Sequence, residues 1–250
     1  MNITFDNVGL NNAPYSIKNI RHEQSSPREI YLQNLSRERG AVLVGYNYRP
    51  KEIVIVGRIT GTDKVDLETK IDAFKEILSR DNKNLDIDYA TGTRRYVAYA
   101  DDVIINRDYF HINYAPFEVK FIVPSGVGKD ITATVDTING TTTATKTGTL
   151  HVDGSAFPNP TIKLTLTAVT AVTALSFLCN GDKITLTQTL LVNDVIIIDT
   201  ENKKVTVNGV EKDYTGMFAS FVVGDNAWQI DLTRTVCTYN IEISYFKKFL

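Results

Sequence analysis

Leu67, Ile71, Phe74 and Leu78 recur at spacings of four, three and four with polar residues between them, which places one apolar stripe down a helix from about Val65 to Arg80. Asp63 stands where it can cap the first turn, and Asp66 and Glu68 complement the positive end of the helix dipole. On either side the period falls to two. Glu52 to Ile59 before the helix, and Leu85 to Tyr89, Tyr96 to Tyr99 and Phe117 to Val123 after it, alternate as strands do. The first part of the chain therefore reads as one helix packed on a sheet.

Beyond residue 126 no helical stripe recurs. Short β-branched runs alternate with Asn139-Gly140, Asp153-Gly154, Asn180-Gly181 and Asn208-Gly209, pairs that tolerate the positive φ angles of two-residue turns, so strands are expected to reverse there. Many short strands at this spacing predict a sandwich or jelly roll. Thr167 to Ala174 reads as a single Thr-rich strand region. Ala227 to Leu232 alternates as a strand that turns Trp228, the only tryptophan, into a core rather than outward to stack on a sugar.

Composition divides the chain at the same place. Ten of the eleven arginines lie in residues 1–125, and 23 of the 29 threonines lie in residues 126–250. The changeover at Pro124-Ser125-Gly126-Val127-Gly128 suits a linker, so two domains are expected, residues 1–126 and 127–250. A length of 250 residues accommodates both.

Charge narrows the function. Lys plus Arg at 27 against Asp plus Glu at 29 gives a formal net charge of −2, and the first 125 residues balance at 17 of each, which argues against an electrostatic grip on nucleic acid or an anionic membrane. Met1 to Asp6 lacks the basic start and apolar run of a secretory signal, so synthesis in the cytoplasm is expected. The most membrane-like stretch, Ile162 to Leu178, is interrupted by Lys163 and by threonines and falls short of a spanning helix. Cys179 and Cys237 form no C-x-x-C pair, and with only His22, His111 and His151 to assist them they read as reduced core thiols rather than metal ligands.

Candidate chemistry is sparse. Asp86 with Asp88, and Asp101 with Asp102, are paired carboxylates, but on a strand Asp86 and Asp88 share a side and read as a solvated face. Arg94-Arg95 reads as a solvated hairpin end. Phosphate loops, zinc motifs and nucleophile elbows are absent from the sequence, so no catalytic, metal or cofactor residue is assigned and no enzyme is expected.

Two stretches resemble the distal tail (Dit) family of long-tailed bacteriophages. The first is Pro50 to Ile59, the helix ending near Leu78, then Leu85 to Asp88 and Arg95 to Tyr99, an order that is similar to the family's N-terminal ring domain. The second is Val192 to Asp199, Lys204 to Gly209, Gly216 to Phe218 and Phe221 to Asn226, similar to the family's C-terminal sandwich, with Asn193 where the pattern more often has Gly.

The resemblance implies a mainly β protein: an N-terminal β-sandwich-like ring domain with one α-helix, then a galectin-like β-sandwich. It implies a homo-hexameric ring in the virion at the phage tail tip. The tail tube protein would sit on one face, a tail-tip or hub protein on the other, and receptor-binding or baseplate proteins on the C-terminal domain. DNA would only pass through the channel. Tyr46, Tyr48 and Arg49 are the candidate ring-interface residues, because they cluster residue types favoured at interfaces. Two alternatives remain: a tail tube or other tail-tip subunit, and a carbohydrate-binding module acting in adhesion to the host cell wall.

Overall fold

The computed structural model describes residues 2–21, 28–34, 40–107, 113–169, 172–234 and 237–250; the side chains of Tyr46, Val169 and Arg234 are outside the description. The chain divides into two compact units, residues 1–131 and 132–249.

The first unit runs β1 (Ile3–Phe5), β2 (Val8–Gly9), β3 (Tyr15–Arg21), β4 (Arg28–Asn34), β5 (Ala41–Tyr48), β6 (Lys51–Thr60), α1 (Lys64–Leu78), β7 (Lys83–Tyr89), β8 (Gly92–Ile105), β9 (Tyr114–Val123) and β10 (Gly128–Asp130). Its main sheet follows the order β2-β1-β7-β8-β9-β6-β3. The 14-residue β8 serves both halves of it: Gly92 to Ala98 pairs with β7, and Tyr99 to Ile105 pairs with β9. Side chains from both halves, Leu85 and Ile87 with Ile53, Ile55, Phe117 and Phe121, meet in one core.

The helix closes that core. Asp63 caps it, accepting a hydrogen bond from the Asp66 backbone N–H at 2.9 Å, and the predicted stripe Leu67, Ile71, Phe74 and Leu78 is buried. Phe74 lies between Tyr15 and Phe117, with ring centroids at 5.0 and 4.6 Å. Gly57 sits inside β6, where a Cβ would stand 2.6 Å from the Phe117 ring and 2.5 Å from the Ser16 carbonyl oxygen, so only glycine admits this approach.

The second unit contains β11 (Thr134–Thr141), β12 (Thr145–Val152), β13 (Thr161–Val169), β14 (Val172–Cys179), β15 (Asp182–Leu190), β16 (Val195–Asp199), β17 (Lys204–Val207), β18 (Val210–Glu211), β19 (Thr215–Gly216), β20 (Gly224–Arg234), β21 (Cys237–Tyr245) and β22 (Lys248–Phe249). One sheet runs β11-β21-β13-β16-β17-β18 and the other β12-β20-β14-β15-β19. Their inner faces share one core, built from Ile162, Leu164 and Ile241 of the first and Phe177, Trp228 and Ile230 of the second. Cys179 and Cys237 are both buried and unbridged, and burial pushes the Cys179 thiol up to about 11.

Several local expectations change. Asn180-Gly181 and Asn208-Gly209 do reverse the chain, with positive φ at all four residues, joining β14 to β15 and β17 to β18. Gly140 instead forms an irregularity within β11, its N–H held by the Asn240 side chain at 2.9 Å, and Gly154 packs against the Lys248 carbonyl oxygen; in both cases the flanking strands lie in different sheets. Thr167 to Ala174 is not one strand, because β13 and β14 also belong to different sheets. Arg94 and Arg95 are not a solvated hairpin end. Arg95 grips Asp86 through two hydrogen bonds of 2.8 Å, and the Arg94 guanidinium lies 4.5 Å from the centre of the Tyr89 ring.

Candidate functional site

Strands β4 and β5 pair with each other and, among the described residues, with no third strand. In chain order they lie between β3 and β6: the last rung of the β3–β6 ladder is Arg21 with Val54, and the hairpin begins at Arg28 with Tyr48. A free-standing two-stranded ribbon in water has no core of its own and is at best marginally stable. This one nevertheless displays Ile30, Leu32, Val42, Leu43 and Val44 to solvent, with Leu32 at 62% and Val44 at 65% exposure. Leu32 faces Leu43 across the ladder, beyond a register shift, so the apolar surface is continuous between the two strands. Polar residues hold the base. Arg49 forms an ion pair with Glu29 at 3.4 Å, and the Arg28 guanidinium lies 5.4 Å from the centre of the Tyr48 ring.

All three candidate interface residues thus fall on or beside this hairpin. Tyr48 is half-buried, Arg49 is exposed, and Tyr46 stands opposite Ile30 in register while its side chain lies outside the described ones. The five exposed aliphatic residues were missed. Ala41 to Tyr48 and Glu29 to Leu32 carry β-forming residues, and that signal was available.

The solvent face of β6, β8 and β9 is the second feature. Glu52 contacts Lys120 at 2.8 Å and Asp101 approaches it at 3.8 Å, and the Glu52 carboxylate, with Asp101 and Asp102 beyond it, raises the Lys120 ammonium above its usual value. Two carboxylates therefore lie within 4 Å of one amine, and Asp102 stands opposite Lys120 in the β8–β9 register. Asp86 is engaged by Arg95, and Asp88 accepts a hydrogen bond from the Thr93 hydroxyl at 2.6 Å.

On the second unit, Trp228 is turned inward and buried over Gly148, where a Cβ would stand 2.4 Å from the indole. Its ring is therefore closed to stacking on a sugar. His151 bridges Asp225 and Asp153 on the surface, and the hydrogen bond to Asp225 raises its imidazole above the ordinary value. His22 and His111 lie outside the described residues. Among the described residues no cluster of His, Cys, Asp and Glu is arranged to hold a metal, and no helix is long and apolar enough to cross a membrane.

Residues 153–249 match the family described as siphovirus-type tail component, C-terminal domain (SPP1_Dit). The match covers most of the second unit. The crystal structure of the SPP1 Dit protein, described as a paradigm of the hub adsorption apparatus in phages infecting Gram-positive bacteria, matches with a TM-score of 0.71 at 13% identity, over 100% of this chain and 99% of that one. At that identity the match speaks for the fold, which the two chains share from end to end. Chains of the phage p2 baseplate in its activated conformation match with TM-scores of 0.44 and 0.42 at 12% and 11% identity. They cover 96% and 94% of this chain, and 96% and 92% of their own. No curated protein sequence matches.

Proposed function

We propose that this protein is a distal tail hub. Its first unit would assemble with five copies into a closed ring, joining the tail tube on one face to tail-tip proteins on the other, and its second unit would carry receptor-binding or adaptor proteins. The role is positional, without catalysis. The observation that carries the ring is the β4–β5 hairpin, whose aliphatic side chains find no cover among the described residues. Apolar surface displayed on a two-stranded ribbon is stable when a neighbour buries it, and a heterologous contact repeated around a closed ring leaves no copy of it exposed. The solvent face of β6, β8 and β9 would line the channel, where the carboxylates around Lys120 oppose any hold on passing DNA.

A double variant, Leu32→Glu with Leu43→Glu, tests the interface. Both positions are exposed in the single subunit, so the melting temperature of the subunit should stay within a few degrees of wild type. In the ring the same carboxylates would be buried unpaired, weakening association by at least about tenfold in sedimentation velocity. Unchanged association would remove the hairpin from the interface.

A further inference from the structure

Asn139-Gly140, Asp153-Gly154, Asn180-Gly181 and Asn208-Gly209 carry a chemistry as well as a turn signal. In an Asn-Gly pair the backbone nitrogen of the glycine can attack the asparagine side-chain carbon Cγ, because no Cβ on the glycine blocks the approach. The nitrogen gives up its proton, a C–N bond closes a five-membered succinimide, and the amide nitrogen leaves as ammonia. Water then opens the ring at either carbonyl, giving aspartate or isoaspartate, and is the only co-reactant. The attack needs a side chain that can swing toward the next peptide nitrogen, so the fold selects which pairs react.

Three of the four are held. Asn180 donates from Nδ2 to the Ser220 carbonyl oxygen at 3.0 Å and to Asn226 Oδ1 at 2.8 Å. Asn208 donates to Asp194 Oδ1 at 2.7 Å and accepts the Val195 N–H at 2.9 Å. Both asparagines also stand at φ +51° in tight turns, so backbone and side chain are fixed together. Asp153 rests on the Lys247 ammonium at 2.8 Å, which keeps it ionised, and a carboxylate resists attack by an amide nitrogen.

Asn139 differs on each count. It is exposed, and among the described residues no hydrogen bond reaches its side chain. Asn139 and Gly140 fall in the irregularity of β11, between the rungs Ile138 with Ile241 and Thr141 with Tyr239, so neither has a ladder partner on β21. Around Gly140, at φ +66°, nothing lies within 4 Å of where a Cβ would stand. One tether remains, from the Gly140 N–H to Asn240 Oδ1 at 2.9 Å, an exposed bond that water can replace.

We infer that Asn139 is a site of spontaneous deamidation, selected among the three Asn-Gly pairs because the fold leaves its side chain free. Conversion adds one negative charge to a subunit of formal net charge −2 and places it on the exposed irregularity of β11. In the isoaspartate product the main chain also gains a carbon there.

The test incubates the full-length protein in mildly alkaline buffer and follows it by tryptic digestion and mass spectrometry. Cleavage after lysine puts the three Asn-Gly pairs on separate peptides, residues 130–146, 164–183 and 205–212. The 130–146 peptide should acquire the mass of an acid in place of an amide, in two chromatographic forms, one of them a substrate for protein isoaspartyl methyltransferase. Its rate should exceed the other two by at least about tenfold, because Asn180 and Asn208 react only in molecules that have opened locally. In concentrated urea the three rates should converge. Conversion of Asn180 or Asn208 as fast as Asn139 in the folded protein overturns the inference. So does an intact Asn139 under conditions where a synthetic peptide of residues 130–146 converts, or a ranking that persists unchanged in urea, which would credit local sequence rather than the fold.

Discussion

At the scale of single residues, the strongest expectations concern Phe74 and His151, one buried and one exposed. Phe74 fills the space between helix and sheet, touching Tyr15 and Phe117. Phe74→Ala should cost about 3–5 kcal/mol in urea unfolding, the range for truncating a large buried aromatic residue. A midpoint unchanged from wild type would show that the contact carries no stability. His151 follows a different logic. Its imidazole is raised above the ordinary value by Asp225, so the folded state binds the proton more tightly than the unfolded state does. The stabilisation is therefore complete below the unfolded value of about 6.5 and is lost as pH rises through the folded one. Asp225→Asn should return the His151 titration, followed by NMR, toward 6.5, and should flatten the dependence of stability on pH across that window. Identical titration curves for wild type and variant would disprove the coupling.

At the scale of elements, legibility tracked how far each residue's environment is local. The helix could be read because its stripe is a 3.6-residue pattern that any helix on a sheet must show, and its cap lies in the same few residues. Asn180-Gly181 and Asn208-Gly209 could be read because a two-residue turn demands positive φ whatever surrounds it. Gly140 and Gly154 carry the same pair signature but serve an irregular strand and a close backbone approach, roles set by Asn240 and Lys248 far along the chain. The β4–β5 hairpin was the larger omission. Only Tyr48 and Arg49, with the Tyr46 position, pointed to it, since its exposed aliphatic residues look in sequence like those of a core strand. What separates them is that no third strand pairs with the hairpin among the described residues, a fact of topology that no short window of sequence contains.

For the whole molecule, a formal net charge of only −2 and a second unit similar over residues 153–249 to a siphovirus-type tail component agree with a protein that positions others. If the face around Lys120 lines a channel for DNA, linear duplex should not be retained by the protein even at low salt in a gel-shift titration, because three carboxylates oppose the phosphates. Tight, salt-sensitive binding would mean that some other, basic face meets the DNA. Native mass spectrometry of the purified protein reads out whether the subunits close into a ring. A closed six-membered ring gives a dominant species at six times the 27.9 kDa subunit mass, with no open-ended series above it. A monomer at every concentration, or a ladder of growing assemblies as a tube-forming subunit would give, would contradict it.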